Sequence, residues 1–160
     1  MESIDTVTGR SPLPVAQLAP DDDVVAAPAL AQPGAGSRVL IVDDEASVAD
    51  LIEAVLVGEG YTVAIARDGV QGLLLARDWR PDLILMDVML PGVDGTTAIR
   101  RLKADDETAH VPIVAMSAGR TIRRQSNELT DADAALAKPF DIEALLAQIE
   151  FLLSRRRVDG

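Results

Sequence analysis

Five short, mostly apolar runs recur between residues 38 and 138: "RVLIV", "YTVAIA", "DLILM", "VPIVAM" and "AALA". Four are bounded on at least one side by Gly, Pro or an acid, and such runs suit strands buried on both faces of a parallel sheet. Helical patterns separate them. Ala46 to Glu59 places Val48, Leu51, Ile52, Val55 and Leu56 on one face, and Asp68 to Trp79 opens on an N-cap residue. Gly95 to Ala104 follows a turn, and Asp141 to Arg157 carries Ile142, Leu145, Leu146, Ile149, Leu152 and Leu153. The stretch "GRTIRRQSNELTD" holds few apolar residues, so any helix there is expected to be short, partly exposed or poorly ordered. "AALA" reads as a strand only because the alternation requires a fifth. Strands alternating with helices force right-handed crossovers and an α/β sheet covered by helices on both faces.

The sheet occupies only part of the chain. From Met1 to Gly36, Ala, Pro, Gly, Ser and Asp dominate with no steady apolar period, the composition of a segment that cannot bury enough surface to fold. Residues 1–36 therefore read as a disordered leader, and its one base (Arg10) against five acids makes it a solvating spacer of charge −4 rather than a docking motif. The expected domain runs over 37–157, with 158–160 as a tail. Over all 160 residues the formal charge is −11, which argues against a phosphate backbone or an anionic membrane as the main partner while leaving metal cations open. No cysteine is present, so disulfides, thiolate metal sites and cysteine nucleophiles are excluded. With no continuous apolar h-region and no stretch near about 18 uncharged apolar residues, a cytoplasmic, non-exported chain is expected.

In open α/β sheets the binding crevice lies beyond the carboxyl ends of the strands. Asp43 and Asp44 follow the first run, Asp87 the third, Ser117 the fourth and Lys138 the fifth. Five polar groups from four strand ends are thus expected to meet. Singly, each has a plain structural explanation: an acid after a strand is often an N-cap, Ser117 a turn residue, and Lys138 before Pro139 a solvated loop lysine. Together they are harder to dismiss. Three converging carboxylates repel one another unless a divalent cation and the Lys138 ammonium hold them ionised.

These segments have a family look. From Arg38 to about Arg157, "VLIVDDE", "PDLILMDVMLPGVDG", "VPIVAMSA" and "LAKPF" resemble, in order, the signature segments of the receiver domain of bacterial two-component response regulators, of the single-domain, stand-alone type. Asp44 to Asp87 spans 43 residues, Asp87 to Ser117 spans 30 and Ser117 to Lys138 spans 21, the last slightly short for the family. The resemblance implies a flavodoxin-like, doubly wound five-stranded parallel sheet of order 2-1-3-4-5. It makes Asp87 the phosphoacceptor, and Asp43, Asp44, Asp87 and the Met89 backbone carbonyl the ligands of Mg²⁺. Ser117 and Lys138 become the groups that stabilise the phosphoryl oxygens, and Pro139 a candidate cis-proline. Glu45 reads as a helix-start acid. In "MLPGVDG", Pro91, Gly92 and Gly95 turn the chain beside the nucleophile.

The implied function is a phosphoacceptor that takes a phosphoryl group from a histidine kinase or histidine phosphotransfer protein and changes its affinity for an unknown downstream protein. It is not a classical turnover enzyme, although hydrolysis of its own phosphoryl group is compatible with the site. No nucleic acid, no membrane and no following output domain are expected, since the sequence ends at Gly160 just after the last helix, and "RRR" at 155–157 reads as a basic helix turn; a homodimer is compatible. Alternatives are a phosphate sink and a pseudo-receiver scaffold without switching, and, less compatible, a phosphohydrolase, whose second acid is missing because Met89 stands there. One departure bears on this: the family's Tyr or Phe three residues before the lysine is Ala135 here. Signalling is then expected through Ser117 and "SAGRTIRRQ", with Arg120, Arg123 and Arg124 facing an acidic partner.

Overall fold

A computed structural model describes residues 36–118 and 131–159. Residues 1–35 of the expected leader, and the helix and arginines expected at 119–130, lie outside the described residues. The order is β1 (Arg38–Val42), α1 (Ala46–Gly58), β2 (Thr62–Ala66), α2 (Gly69–Asp78), β3 (Leu83–Asp87), α3 (Gly95–Ala104), β4 (Ile113–Ala118), β5 (Ala134–Lys138) and α4 (Ile142–Asp159). All strands are parallel, in the order β2-β1-β3-β4-β5. The expected flavodoxin-like topology is therefore the observed one.

The period of two along each strand divides the core. Leu40, Val42, Ile84, Met86, Ile113 and Ala115 face one side, where α2 and α3 supply Ala76, Ala98, Ile99 and Leu102. Val39, Ile41, Leu83, Leu85, Val114 and Met116 face the other, under Ala49, Ile52 and Leu56 of α1 and Leu145, Ile149, Leu152 and Leu153 of α4. Central strands buried on both faces need the apolar runs seen in the sequence. Leu51, expected in the core, is instead 56% exposed. Ala49, Ile52 and Leu56 (i, i+3, i+7) form the buried line, and Leu51 lies about 100° from Ile52 on the helical wheel, off that line.

Three carboxylates set helix starts. Asp68 Oδ1 accepts from the Gln71 amide and Asp94 Oδ1 from the Thr97 amide, each at 2.8 Å, while Asp141 Oδ1 accepts from the Glu143 amide at 3.0 Å. Glu45 holds the corresponding position before α1 but makes no side-chain cap.

The alanine-rich β5 has little side chain to fix its register, and polar contacts at its entrance do so. Asp133 Oδ2 accepts from the Ile113 amide at 2.8 Å and pairs with Lys103 Nζ at 2.8 Å, and Lys103 also donates to the Val111 carbonyl at 2.9 Å. A second knot lies at the foot of β1 and β3. Asp82 accepts from the Arg38 amide at 2.8 Å and from Arg156 Nη1 at 3.0 Å, tying the end of α4 to the sheet. The Arg38 guanidinium covers the Trp79 ring at 5.6 Å. Both knots lie at the amino ends of the strands, away from the carboxyl ends.

The loop from β3 to α3 is tight. Gly92 has φ +71°, a conformation that favours glycine, and the Gly95 amide donates to the Val88 carbonyl at 3.0 Å. A β-carbon on Gly95 would collide with the Asp87 carbonyl oxygen and lie 2.6 Å from the Val88 α-carbon. Only backbone stands in the way, so the loop itself must move. Gly95→Ala is therefore expected to lower the stability to urea unfolding by about 1–3 kcal/mol and to weaken Mg²⁺ binding in a calorimetric titration; unchanged values for both would show that the close approach carries no constraint.

Candidate functional site

The register carries three strand ends to one place. Asp87, the last residue of β3, pairs with Met116, and Lys138, the last of β5, pairs with Ala118. Asp87, Ser117 and Lys138 were expected just past their strands; they lie inside them, because the parallel ladder continues one or two residues further, with the Val88 amide still donating to the Met116 carbonyl at 2.9 Å. Ser117 is buried in β4 between these two strands. Asp43 and Asp44 leave β1, the neighbour of β3 on its other side.

Asp43, Asp44 and Asp87 each offer a carboxylate oxygen, and these oxygens lie within 4.8 Å of one another. Asp43 is fully buried and Asp87 is 4% exposed, while Asp44 faces solvent. Each buried carboxylate receives one backbone amide. Glu45 N donates to Asp43 Oδ1 at 2.9 Å, and Met89 N donates to Asp87 Oδ1 at 3.0 Å. Lys138 Nζ then serves both, 2.9 Å from Asp43 Oδ2 and 3.5 Å from Asp87 Oδ2. The Lys138–Pro139 peptide is cis.

Burial pushes the Asp87 carboxyl from 3.8 up to about 6; the Met89 amide opposes it, the Asp43 charge adds to it, and the Lys138 charge offsets part. Burial alone would lower Lys138, but the Asp43 hydrogen bond and the charges of Asp87, Asp43 and Glu45 outweigh it and hold the ammonium above its ordinary value. Glu45 was read only as a helix-start acid. Its carboxylate lies 3.9 Å from Lys138 Nζ, a contact that depends on where β5 ends and has no local signature.

The sequence of residues 39–150 matches the family model of the response regulator receiver domain. The chain belongs to the response-regulator receiver family. It is 42% identical over 119 residues to the DNA-binding dual master transcriptional regulator RpaA of Synechocystis sp., covering 74% of this chain and 49% of that protein. Among solved structures, a putative response regulator from Chloroflexus aurantiacus superposes with a TM-score of 0.70 at 34% identity, covering 74% of this chain and 98% of that one. The receiver domain of the sensor histidine kinase PA1611 from Pseudomonas aeruginosa gives 0.69 at 35% identity over 75% of this chain and 99% of its own, and carries a magnesium ion in its active-site cleft. This chain spans about half the length of the first curated relatives it matches. Receiver domains are the signal-accepting modules of two-component phosphorelays, interact with histidine kinases and bind Mg²⁺ at an acidic pocket. Among the described residues no helix is long and apolar enough to cross a membrane.

The acid cluster suits such an ion on its own chemistry. A hard cation takes carboxylate oxygens, keeps several waters and needs only one or two carboxylates from the protein. Burial is the main cause of the raised Asp87 and the Asp43 charge adds to it, so a dication bridging these carboxylates would favour their ionised forms.

A sign follows for stability. Asp87 binds its proton more tightly folded than unfolded, so its ionisation costs the fold nothing below about pH 4 and progressively more up to about pH 6. Without divalent metal at pH 7.5, Asp87→Asn is expected to unfold at higher urea than the wild type, by at most about 3 kcal/mol. That gap should close near pH 4 and narrow in Mg²⁺. A variant no more stable than wild type at pH 7.5 would contradict the strained carboxylate.

Proposed function

We propose that the protein is a phosphoacceptor whose Asp87 takes a phosphoryl group from a phosphohistidine donor, on a histidine kinase or a histidine phosphotransfer protein, and thereby changes its binding to a downstream protein. The observation that carries this reading is the buried Asp87 carboxylate held between the Met89 amide and Lys138, with Asp43 and Asp44 beside it. In this reading an ionised Asp87 oxygen attacks phosphorus and forms an acyl phosphate. The Met89 amide keeps the carboxylate oriented, and the Lys138 ammonium, already shared by two acids, turns to the incoming oxygens. Ser117 would hydrogen-bond a phosphoryl oxygen. A Mg²⁺ held by Asp43, Asp44, Asp87 and the Met89 carbonyl would supply the remaining charge compensation.

Residues 37–157 are the receiver unit in this proposal and residues 1–36 a leader. RpaA is named as DNA-binding, but this chain matches about half of it, so DNA contact is carried over neither as present nor as absent. A second reading, a phosphate sink without an output switch, is favoured by one observation: Ala135, at the family's aromatic position, is an exposed methyl on β5.

Radiolabel from a cognate kinase or a small phosphodonor should appear on Asp87 alone and only with Mg²⁺. Label that persists in Asp87→Asn, or that forms in excess chelator, would defeat the assignment. Removing residues 1–36 should leave the melting temperature within about 2 °C; a larger fall would show that the leader contributes to the fold.

A further inference from the structure

A pocket of about 500 Å³ opens beside the acid cluster, between the loop after β3 and the first turns of α3. Asp44 belongs to both pocket and cluster, and the exposed Met89 side chain stands in its wall, so the pocket adjoins the place a phosphoryl group would occupy on Asp87. Two of its polar groups have no side-chain partner among the described residues. Thr96 is 6% exposed, yet its hydroxyl has no hydrogen-bond partner among the described residues, an omission that costs stability unless a ligand or water fills it. Arg100, four residues on and on the same face of α3, pairs with no acid and no carbonyl among the described residues. Arg38, Arg67, Arg77 and Arg156 have such partners, whereas Arg80 and Arg101, like Arg100, have none among the described residues; Arg100 is set apart by its place in the pocket wall beside Thr96. The acids in the wall are engaged elsewhere: Asp94 caps the Thr97 amide, and Asp44 belongs to the carboxylate cluster.

We propose that Arg100 and Thr96 form a leaving-group subsite that selects small acyl phosphates as phosphoryl donors; this rests on Asp87 being the phosphoacceptor. An Asp87 oxygen forms the new bond to phosphorus, and the bond between phosphorus and the acyl oxygen breaks. The electron pair leaves on that oxygen as a carboxylate, and no proton moves. Negative charge therefore builds on the departing group, where a guanidinium and a buried hydroxyl stabilise it. Met89 offers a short acyl chain an apolar wall. A donor that leaves as a neutral amine gains nothing from the cation.

Purified protein in Mg²⁺ is phosphorylated by acetyl phosphate and, separately, by phosphoramidate, whose ammonia leaves uncharged; the ratio of the two rate constants is read. Arg100→Ala and Thr96→Val should each lower the ratio of acetyl phosphate to phosphoramidate rates, the first by about five- to tenfold, as expected for loss of a charge-assisted hydrogen bond. Arg100→Lys and Thr96→Ser should restore most of it. A mutation that merely misplaces the phosphoryl group slows both donors and leaves the ratio alone. Ratios unchanged in both variants, with Asp87 still labelled, would overturn the subsite and spare the phosphoacceptor. Wild type unlabelled by acetyl phosphate but labelled on Asp87 by a histidine kinase would overturn the subsite alone, and no label from any of the three donors would overturn the phosphoacceptor as well.

Discussion

One ammonium between two buried carboxylates determines how this sheet must be built. Asp43 and Asp87 end up shielded from water within reach of each other and of Asp44, an arrangement that costs free energy unless cations approach closely. Among the described residues the cation that reaches them is Lys138, from the far edge strand, 95 residues after Asp43. Its reach of 2.9 Å to one acid and 3.5 Å to the other requires β5 to be parallel to β4 and in a fixed register. An edge strand of three alanines and a leucine before the lysine, alternating between half-buried and exposed, has little packing of its own with which to enforce that register. The enforcement comes from the opposite end, where Asp133 binds both the Ile113 amide and Lys103. The Lys103 contact resembles a surface ion pair in exposure, and such pairs contribute about 0–1 kcal/mol. Its effect on the site is positional: it decides which residue of β5 arrives beside Asp87.

The same division runs through the whole sheet. At the amino ends, Asp82 and Asp133 have their hydrogen bonds filled by neighbours of the fold, so those acids are committed. At the carboxyl ends, Asp87 stays partly uncompensated and is pushed toward neutral pH. Spare binding capacity is thus concentrated at the carboxyl ends of the strands, where a buried carboxyl raised in this way is a candidate functional group.

Much of this was legible in the sequence, and the physical reasons differ by element. The central strands announced themselves because burial on both faces demands continuous apolar runs. α3, Gly95–Ala104, is legible because it follows the Pro91–Gly92 turn; the Asp94 carboxylate that caps its Thr97 amide is seen only in the structure. β5 was legible only through the alternation of elements, since alanine carries little signal of either structure. Leu51 misled because a helical wheel shows an apolar face but not which part of it the sheet reaches; the small Ala49 lies where α1 meets the sheet. The acids and lysine of the cluster stand out as a set, whereas Glu45 near Lys138, and Arg100 and Thr96, which have no side-chain partner among the described residues, do not. An arginine on a helix is ordinarily a solvated residue; Arg100 differs from Arg77 on α2, which finds Asp105, in lining a pocket with no partner among the described residues.

Ala135 limits how a change at Asp87 can travel. A charge added there acts first on whatever touches the carboxylate, which means Lys138, Asp43 and the Met89 amide. An aromatic side chain at position 135 would offer a second, bistable element with an inside and an outside setting. The methyl of Ala135 has no χ1 rotamers to exchange and already faces outward with Ala137. What would respond to the added charge on the proposed reading is therefore the Lys138 ammonium, together with the Ser117 hydroxyl. Any new oxygen drawing it from Asp43 weakens the contact between the end of β5 and the start of α1, where Asp43 also holds the Glu45 amide. Two elements that pack against the same core face, α1 and the β5–α4 corner with Phe140, would feel that loss together. On the proposed reading the lysine is the counter-ion of the acids and, with the Ser117 hydroxyl, a moving part, because two carboxylates compete for one ammonium.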